Sequence, residues 1–188
     1  MTTDHDPATS NSEEPTVLGK RMSEVVIAYV SCPQDSGRNF LGATLLTDYR
    51  TRPLEFAFVS PVKITLMQRI IHGKTLDEAI SVDVIANRLL SQVSKPPDVI
   101  FVDSDILLEL QRLTRIPVAK LSKEENSSSQ PTSLSALKFS TFRANYSEIV
   151  GSILSALESQ ADLIEPFGRM TEAIREAQKS IPASQSKQ

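Results

Sequence analysis

Pro97-Asp98-Val99-Ile100-Phe101-Val102-Asp103-Ser104-Asp105 decides how this chain is read. Val99 to Val102 is an unbroken apolar run, mostly β-branched, and too short for a helix. Such a run between polar residues suits a strand buried on both faces. Pro96 and Pro97 end whatever precedes it, because proline lacks the N–H that a helix needs. Asp103 closes the run, at the strand end where α/β sheets gather ligands. The competing reading is that Asp103 or Ser104 caps a helix over 105–113.

Upstream, Leu76, Ile80, Val84, Leu89 and Leu90 recur on one helical face, so a helix is expected over 75–93. Thr75 and Glu78 have the spacing of a capping box. A shorter helix is expected over 65–71, stopped near Gly73. Before it lie three strand-like runs, 25–30, 40–47 and 54–59, the last expected to stop at Pro61. Asp48 carries turn chemistry between the second and third. Such short connections imply an antiparallel meander. Alternation puts Leu54, Phe56 and Phe58 on one face and Glu55 on the other, which is open to solvent or covered by a helix.

Downstream, 116–121 reads as the next strand and 134–142 as a strand or extended arm. Apolar spacing predicts an amphipathic helix over 145–164, with Asn145 and Glu148 in a box-like start. A last helix over 166–179 has Pro166 in its first turn. The expected fold class is α/β: a mixed five-stranded sheet, made of an antiparallel three-strand meander followed by βαβ-type elements, plus C-terminal helices. The expected organisation is an acidic, disordered tail over 1–22, an α/β domain over 23–121 and a polar linker over 122–133. A mainly helical extension over 134–181 and a tail over 182–188 complete it.

The chain has 188 residues, 40% apolar and 23% charged, which suits one domain with its own core. A net charge of −3 supplies no global basic field. Cys32 is the only cysteine, which excludes an intramolecular disulfide and a Cys-based structural zinc site. An inert, buried thiol is the expected role. No apolar run nears the ~20 residues that span a bilayer. Residues 1–15 lack the basic and apolar pattern of a signal peptide. A cytoplasmic protein with no membrane partner is expected.

Between Tyr49 and Leu76 stand Arg50, Arg52, Lys63, Arg69 and Lys74 against the single carboxylate Glu55. In an acidic chain this is a local excess suited to phosphates, and these five are the candidate nucleic-acid contacts. The plain alternative is a solvated surface. No glycine-rich phosphate loop accompanies them. Most of the few aromatic residues occupy core-like positions, so no stacking ladder for single strands is expected. Neither His72 nor His5 joins a spacing that suggests a nucleophilic triad.

The order of elements, with Ala28-Tyr29-Val30-Ser31-Cys32, Leu41-Gly42-Ala43-Thr44-Leu45-Leu46, Leu54-Glu55-Phe56, Leu66-Met67-Gln68-Arg69 and Phe101-Val102-Asp103-Ser104, resembles the ribonuclease H-like superfamily over 24–121. That resemblance implies a site where carboxylates hold two divalent ions and clamp the attacking and leaving oxygens. It sets Ser31 where the first-strand acid would stand and Gln68 where the helix acid would stand. Asp103 alone keeps the residue type. Neutral Ser and Gln make a poor cage for two dications.

The resemblance therefore implies a degenerate, non-catalytic accessory or adaptor protein in a nucleic-acid-related process, with no cofactor and no metal. Its partners would be a protein or a second copy, docked through the C-terminal helices, and nucleic acid at the basic segment. One alternative is a metal-dependent nuclease or phosphoryl-transfer enzyme. It would use Asp103 with Mg²⁺ or Mn²⁺ and, in a shifted register, Asp35, Asp48, Asp77, Glu78 or Asp83. Another is a structural or oligomeric protein with no nucleic-acid role.

Overall fold

The computed structural model describes residues 16–17, 19–123 and 137–180. The parts of the expected tails, linker and C-terminal extension at 1–15, 18, 124–136 and 181–188 lie outside these residues. A small hairpin pairs β1 (Thr16–Val17) with β2 (Lys20–Arg21). The main strands are β3 (Ile27–Ser31), β4 (Phe40–Thr47), β5 (Pro53–Val62), β6 (Val99–Val102), β7 (Val118–Lys123) and β8 (Leu137–Thr141). They form one sheet in the order β5-β4-β3-β6-β7-β8. β3, β4 and β5 are an antiparallel meander. β6 runs parallel to β3, and β7 parallel to β6. This mixed α/β architecture is compatible with a ribonuclease H-like fold. The expected five strands become six, because β8 adds antiparallel to β7.

Two expected boundaries fail for local reasons. β5 does not stop at Pro61 but continues to Val62. It is an edge strand, where a residue without an N–H can be accommodated. The capping box forms not at Thr75 but one helix earlier, at α1 (Leu66–His72). There the Gln68 N–H donates to Thr65 Oγ1 at 3.2 Å, and the Thr65 N–H donates to Gln68 Oε1 at 2.9 Å. Thr75 has helical φ and ψ in place of the extended values of an N-cap, and its hydroxyl donates to the His72 carbonyl.

The helix expected over 75–93 is wound three ways: α2 (Leu76–Glu78), a π-helical stretch (Ala79–Ala86) and α3 (Asn87–Gln92). The segment after β6 is a 3-10 helix, Asp105–Arg112, that buries Leu107 and Leu110. The helix expected over 145–164 ends early, as α4 (Ala144–Leu157), and Arg143 caps it without a side-chain bond. Asp162 Oδ1 then accepts the N–H groups of Ile164 and Glu165, which starts α5 (Glu165–Ser180).

Helices cover both faces of the sheet. On one face, Val150, Ile153, Leu154 and Leu157 of α4 and Met170 and Ile174 of α5 pack on Ile27, Tyr29, Leu45 and Phe101. The π-helical stretch, α3 and the 3-10 helix cover the other face. Gly42 of β4 is a point of close approach, since a Cβ there would lie 2.1 Å from Ile85 Cγ2. Among the described residues, no helix is long and apolar enough to cross a membrane.

Candidate functional site

Parallel pairing matches Val30 of β3 with Val102 of β6, so the residues that follow, Ser31 and Asp103, emerge side by side. Ser31 is buried, and its hydroxyl donates to Asp103 Oδ2 at 2.5 Å. Asp103 is therefore not the side-chain cap of the next helix, whose N-cap is Ser104. β7 adds Lys120, in register with Val102, and its Nζ donates to Asp105 Oδ2 at 2.7 Å.

Loss of water around the Asp103 carboxyl raises its pKa, against the Ser31 hydrogen bond and the nearby Lys120 charge, which lower it. The residue as a whole is exposed to solvent, which tempers the rise. Cys32 lies next to this pair. Burial, and then the Asp103 charge, push its thiol up to about 12. The thiol points at the Ser81 carbonyl, 3.6 Å away. At neutral pH it stays protonated and is a poor nucleophile.

Gln68 is held elsewhere, closing the cap of the exposed α1. The acids that a shifted register would enlist are engaged elsewhere or face solvent. Asp35 binds Asn39 within the β3–β4 connection, and this hydrogen bonding lowers its pKa. Asp48 Oδ1 accepts the Arg50 and Arg52 N–H groups in the β4–β5 turn, as its turn chemistry predicts. Asp77 accepts from Gln34, and Glu78 pairs with Arg112. Asp83 is exposed on the π-helical stretch. Among the described residues, no three His, Cys, Asp or Glu side chains come together as a metal site. Asp98 has a structural role: it accepts the Val26 N–H at 3.0 Å and the Lys20 ammonium at 2.5 Å.

The five candidate phosphate contacts do not form one patch. Arg50 and Arg52 lie in the turn before β5, whereas Lys63, Arg69 and Lys74 follow the strand's far end. Ten residues of strand, at ~3.3 Å each, separate the two groups. Arg69 is tied to the β3–β4 connection, where its guanidinium donates to the Arg38 carbonyl at 3.0 Å. That end of the sheet also carries Ser31 and Asp103.

Two surface features escape the pattern reading. Leu66, Met67, Ile70 and Ile71 of α1 are each 69–74% exposed. Phe56 and Phe58, expected on one face of their strand, are 39% and 44% exposed. Their alternation with Glu55 and Ala57 was legible, but that no helix lies over this end of the face was not. The Glu55 face is the helix-covered one, where the Ser94 N–H and hydroxyl both donate to Glu55 and lower its pKa. The apolar faces of α4 and α5, the expected docking surfaces, are occupied by the chain's own core.

No protein-family model matches the sequence. No curated protein matches it either. Among solved structures it is similar to Marinitoga piezophila Argonaute in complex with 5′-OH guide RNA, at 12% identity and a TM-score of 0.36. The alignment covers 75% of this chain and 26% of that one. The same Argonaute with guide RNA and target DNA aligns at 10% identity and a TM-score of 0.36, over 75% of this chain and 26% of that one. The chain thus spans about a quarter of the length of these structures.

Proposed function

We propose that the protein is a non-catalytic accessory or adaptor protein, built on a ribonuclease H-like scaffold and acting in a nucleic-acid-related process. The observation that carries this reading is the Ser31–Asp103 hydrogen bond. Two-metal phosphodiester chemistry needs several anionic oxygens converging on one space. Here the hydroxyl proton of Ser31 points at the one carboxylate that remains. Lys120 adds its positive charge to the same neighbourhood. A dication entering there would meet the Asp103 carboxylate, a neutral hydroxyl and an ammonium that is itself paired with Asp105. The exposed apolar side of α1 supports the adaptor half of the reading, because clustered apolar exposure marks interaction surfaces.

The test combines cleavage and binding. Labelled single-stranded and duplex DNA and RNA are incubated with the protein and Mg²⁺ or Mn²⁺. Their binding is followed by fluorescence anisotropy at about 50 and 200 mM salt, the range where phosphate contacts lose affinity steeply. Salt-sensitive binding without cleavage is expected. Metal-dependent cleavage that disappears in Asp103→Asn would overturn the reading in favour of a nuclease.

A further inference from the structure

The geometry points to a single-strand nucleic-acid platform on the open face of β5, where unpaired bases stack on Phe56 and Phe58 and phosphates are held by Arg50, Arg52 and Lys63. This rests on the nucleic-acid reading above and names the surface and the form of nucleic acid.

β5 is one of the two edge strands of the sheet. Its exposed side carries Leu54, Phe56 and Phe58 in alternate positions. The two phenyl rings stack at 24° with centroids 6.2 Å apart. Two nearly parallel rings on a solvent-facing sheet surface offer flat apolar area to flat ligands. In a duplex the base faces are already stacked on each other, so only an unpaired strand can use such rings.

Charge is arranged to match. Exposed Arg50 and Arg52 stand at one end of the stripe, and exposed Lys63 follows the other. The guanidinium of Arg50 already lies 5.1 Å from the centroid of the Tyr49 ring. The strand's one acid, Glu55, points to the opposite side and is bound by Ser94. The strand thus carries Leu54, Phe56 and Phe58 on its open side with cationic residues in the chain beyond both of its ends, which suits a stacking surface flanked by phosphate contacts.

A polypeptide adding as a further strand is served less well. Pro53 and Pro61 withdraw two backbone donors from this strand. Antiparallel pairing of two copies would also bring the Arg50 and Arg52 end of one against the Lys63 end of the other.

The test uses the full chain and a fluorescein-labelled oligothymidylate and oligouridylate of about 12 nucleotides, beside a duplex of equal length. The single strands are expected to bind more tightly than the duplex. Phe56→Ala with Phe58→Ala should weaken them at least tenfold, since each stacked base is worth roughly 5- to 150-fold. The Phe→Leu pair should weaken them nearly as much, and the Phe→Tyr pair should not. Arg50→Gln with Arg52→Gln should flatten the salt dependence. Melting of each variant establishes that it is folded. Wild-type binding that ignores the Phe substitutions overturns the platform and leaves the nucleic-acid reading standing. Absence of binding at about 50 mM salt, together with self-association in sedimentation that the Phe→Ala pair abolishes, overturns both and assigns the stripe to a protein interface.

Discussion

Ser31 Oγ and Asp103 Oδ2 lie 2.5 Å apart because parallel pairing ends β3 and β6 at the same level. The pair is a closed donor–acceptor unit, and it sits where the ribonuclease H-like resemblance implies two acids. Converting Ser31 to an acid makes a direct test. In Ser31→Asp the hydrogen bond is replaced by two carboxylates in contact, so one pKa rises and the folded state weakens at neutral pH. Excess Mn²⁺ should bind between them and raise the Tm of the variant, by linkage of binding to folding. Wild-type Tm should not respond. Thermal melts with and without Mn²⁺ measure both, and a metal response in the wild type would count against the closed pair.

The raised pKa of Asp103 has a sign that stability measurements can read. Folded Asp103 holds its proton to higher pH than the unfolded chain does. Its contribution therefore favours the folded state at low pH and is lost as pH rises through the folded pKa. Asp103→Asn removes the titration while its amide oxygen still accepts from Ser31. The urea midpoint of this variant relative to wild type should rise as pH goes from about 4 to 7, the side of the model value on which a raised carboxyl titrates. A difference that is flat or falls with pH would contradict the shift.

Gly42 and Ile85 mark a close approach between the sheet and the π-helical stretch. Gly42→Ala should destabilise by about 1–3 kcal/mol, as overpacked cores do. For a chain of this size, each kcal/mol lowers Tm by about 2–4 °C. Paired with Ile85→Ala, the loss should be smaller than the sum of the two single losses, because both act on the same space. A strictly additive double-mutant cycle would show that β4 can shift to admit the methyl.

Thr65 and Gln68 close the cap of α1, a helix that buries no residue. Thr65→Ala should cost about 1 kcal/mol locally. Because no core packing depends on α1, the expected signature is faster amide exchange through Leu66–His72 with little change in global Tm. A global loss of several degrees would mean that the rest of the fold depends on α1.

Much of the scaffold was legible because burial on both faces writes an unbroken apolar run. β6, the sheet's centre, was read from Val99–Val102, and β4 was placed to the residue. Boundaries failed where a neighbour outweighed local chemistry. Pro61 looked terminal, but the outer strand tolerates it. Thr75 had the spacing of a cap, but the chain enters α2 already helical. The candidate site was half legible: Asp103 and Ser31 were picked out through the resemblance. Lys120 was missed, because a lysine inside an apolar strand announces nothing about which strand ends it will sit beside.

The sequence by itself determined the α/β class, the meander and the helix-covered parallel pairing, because periodicity and turn chemistry act between residues close along the chain. It also determined that the basic segment carries only one acid. Tertiary structure decided how that segment is arranged. It turned Glu55 toward Ser94, split Arg50 and Arg52 from Lys63, and left Phe56 and Phe58 uncovered. Which face of a strand is covered depends on where distant helices pack. The register that brings Ser31 to Asp103 joins residues far apart along the chain, and no local pattern encodes either.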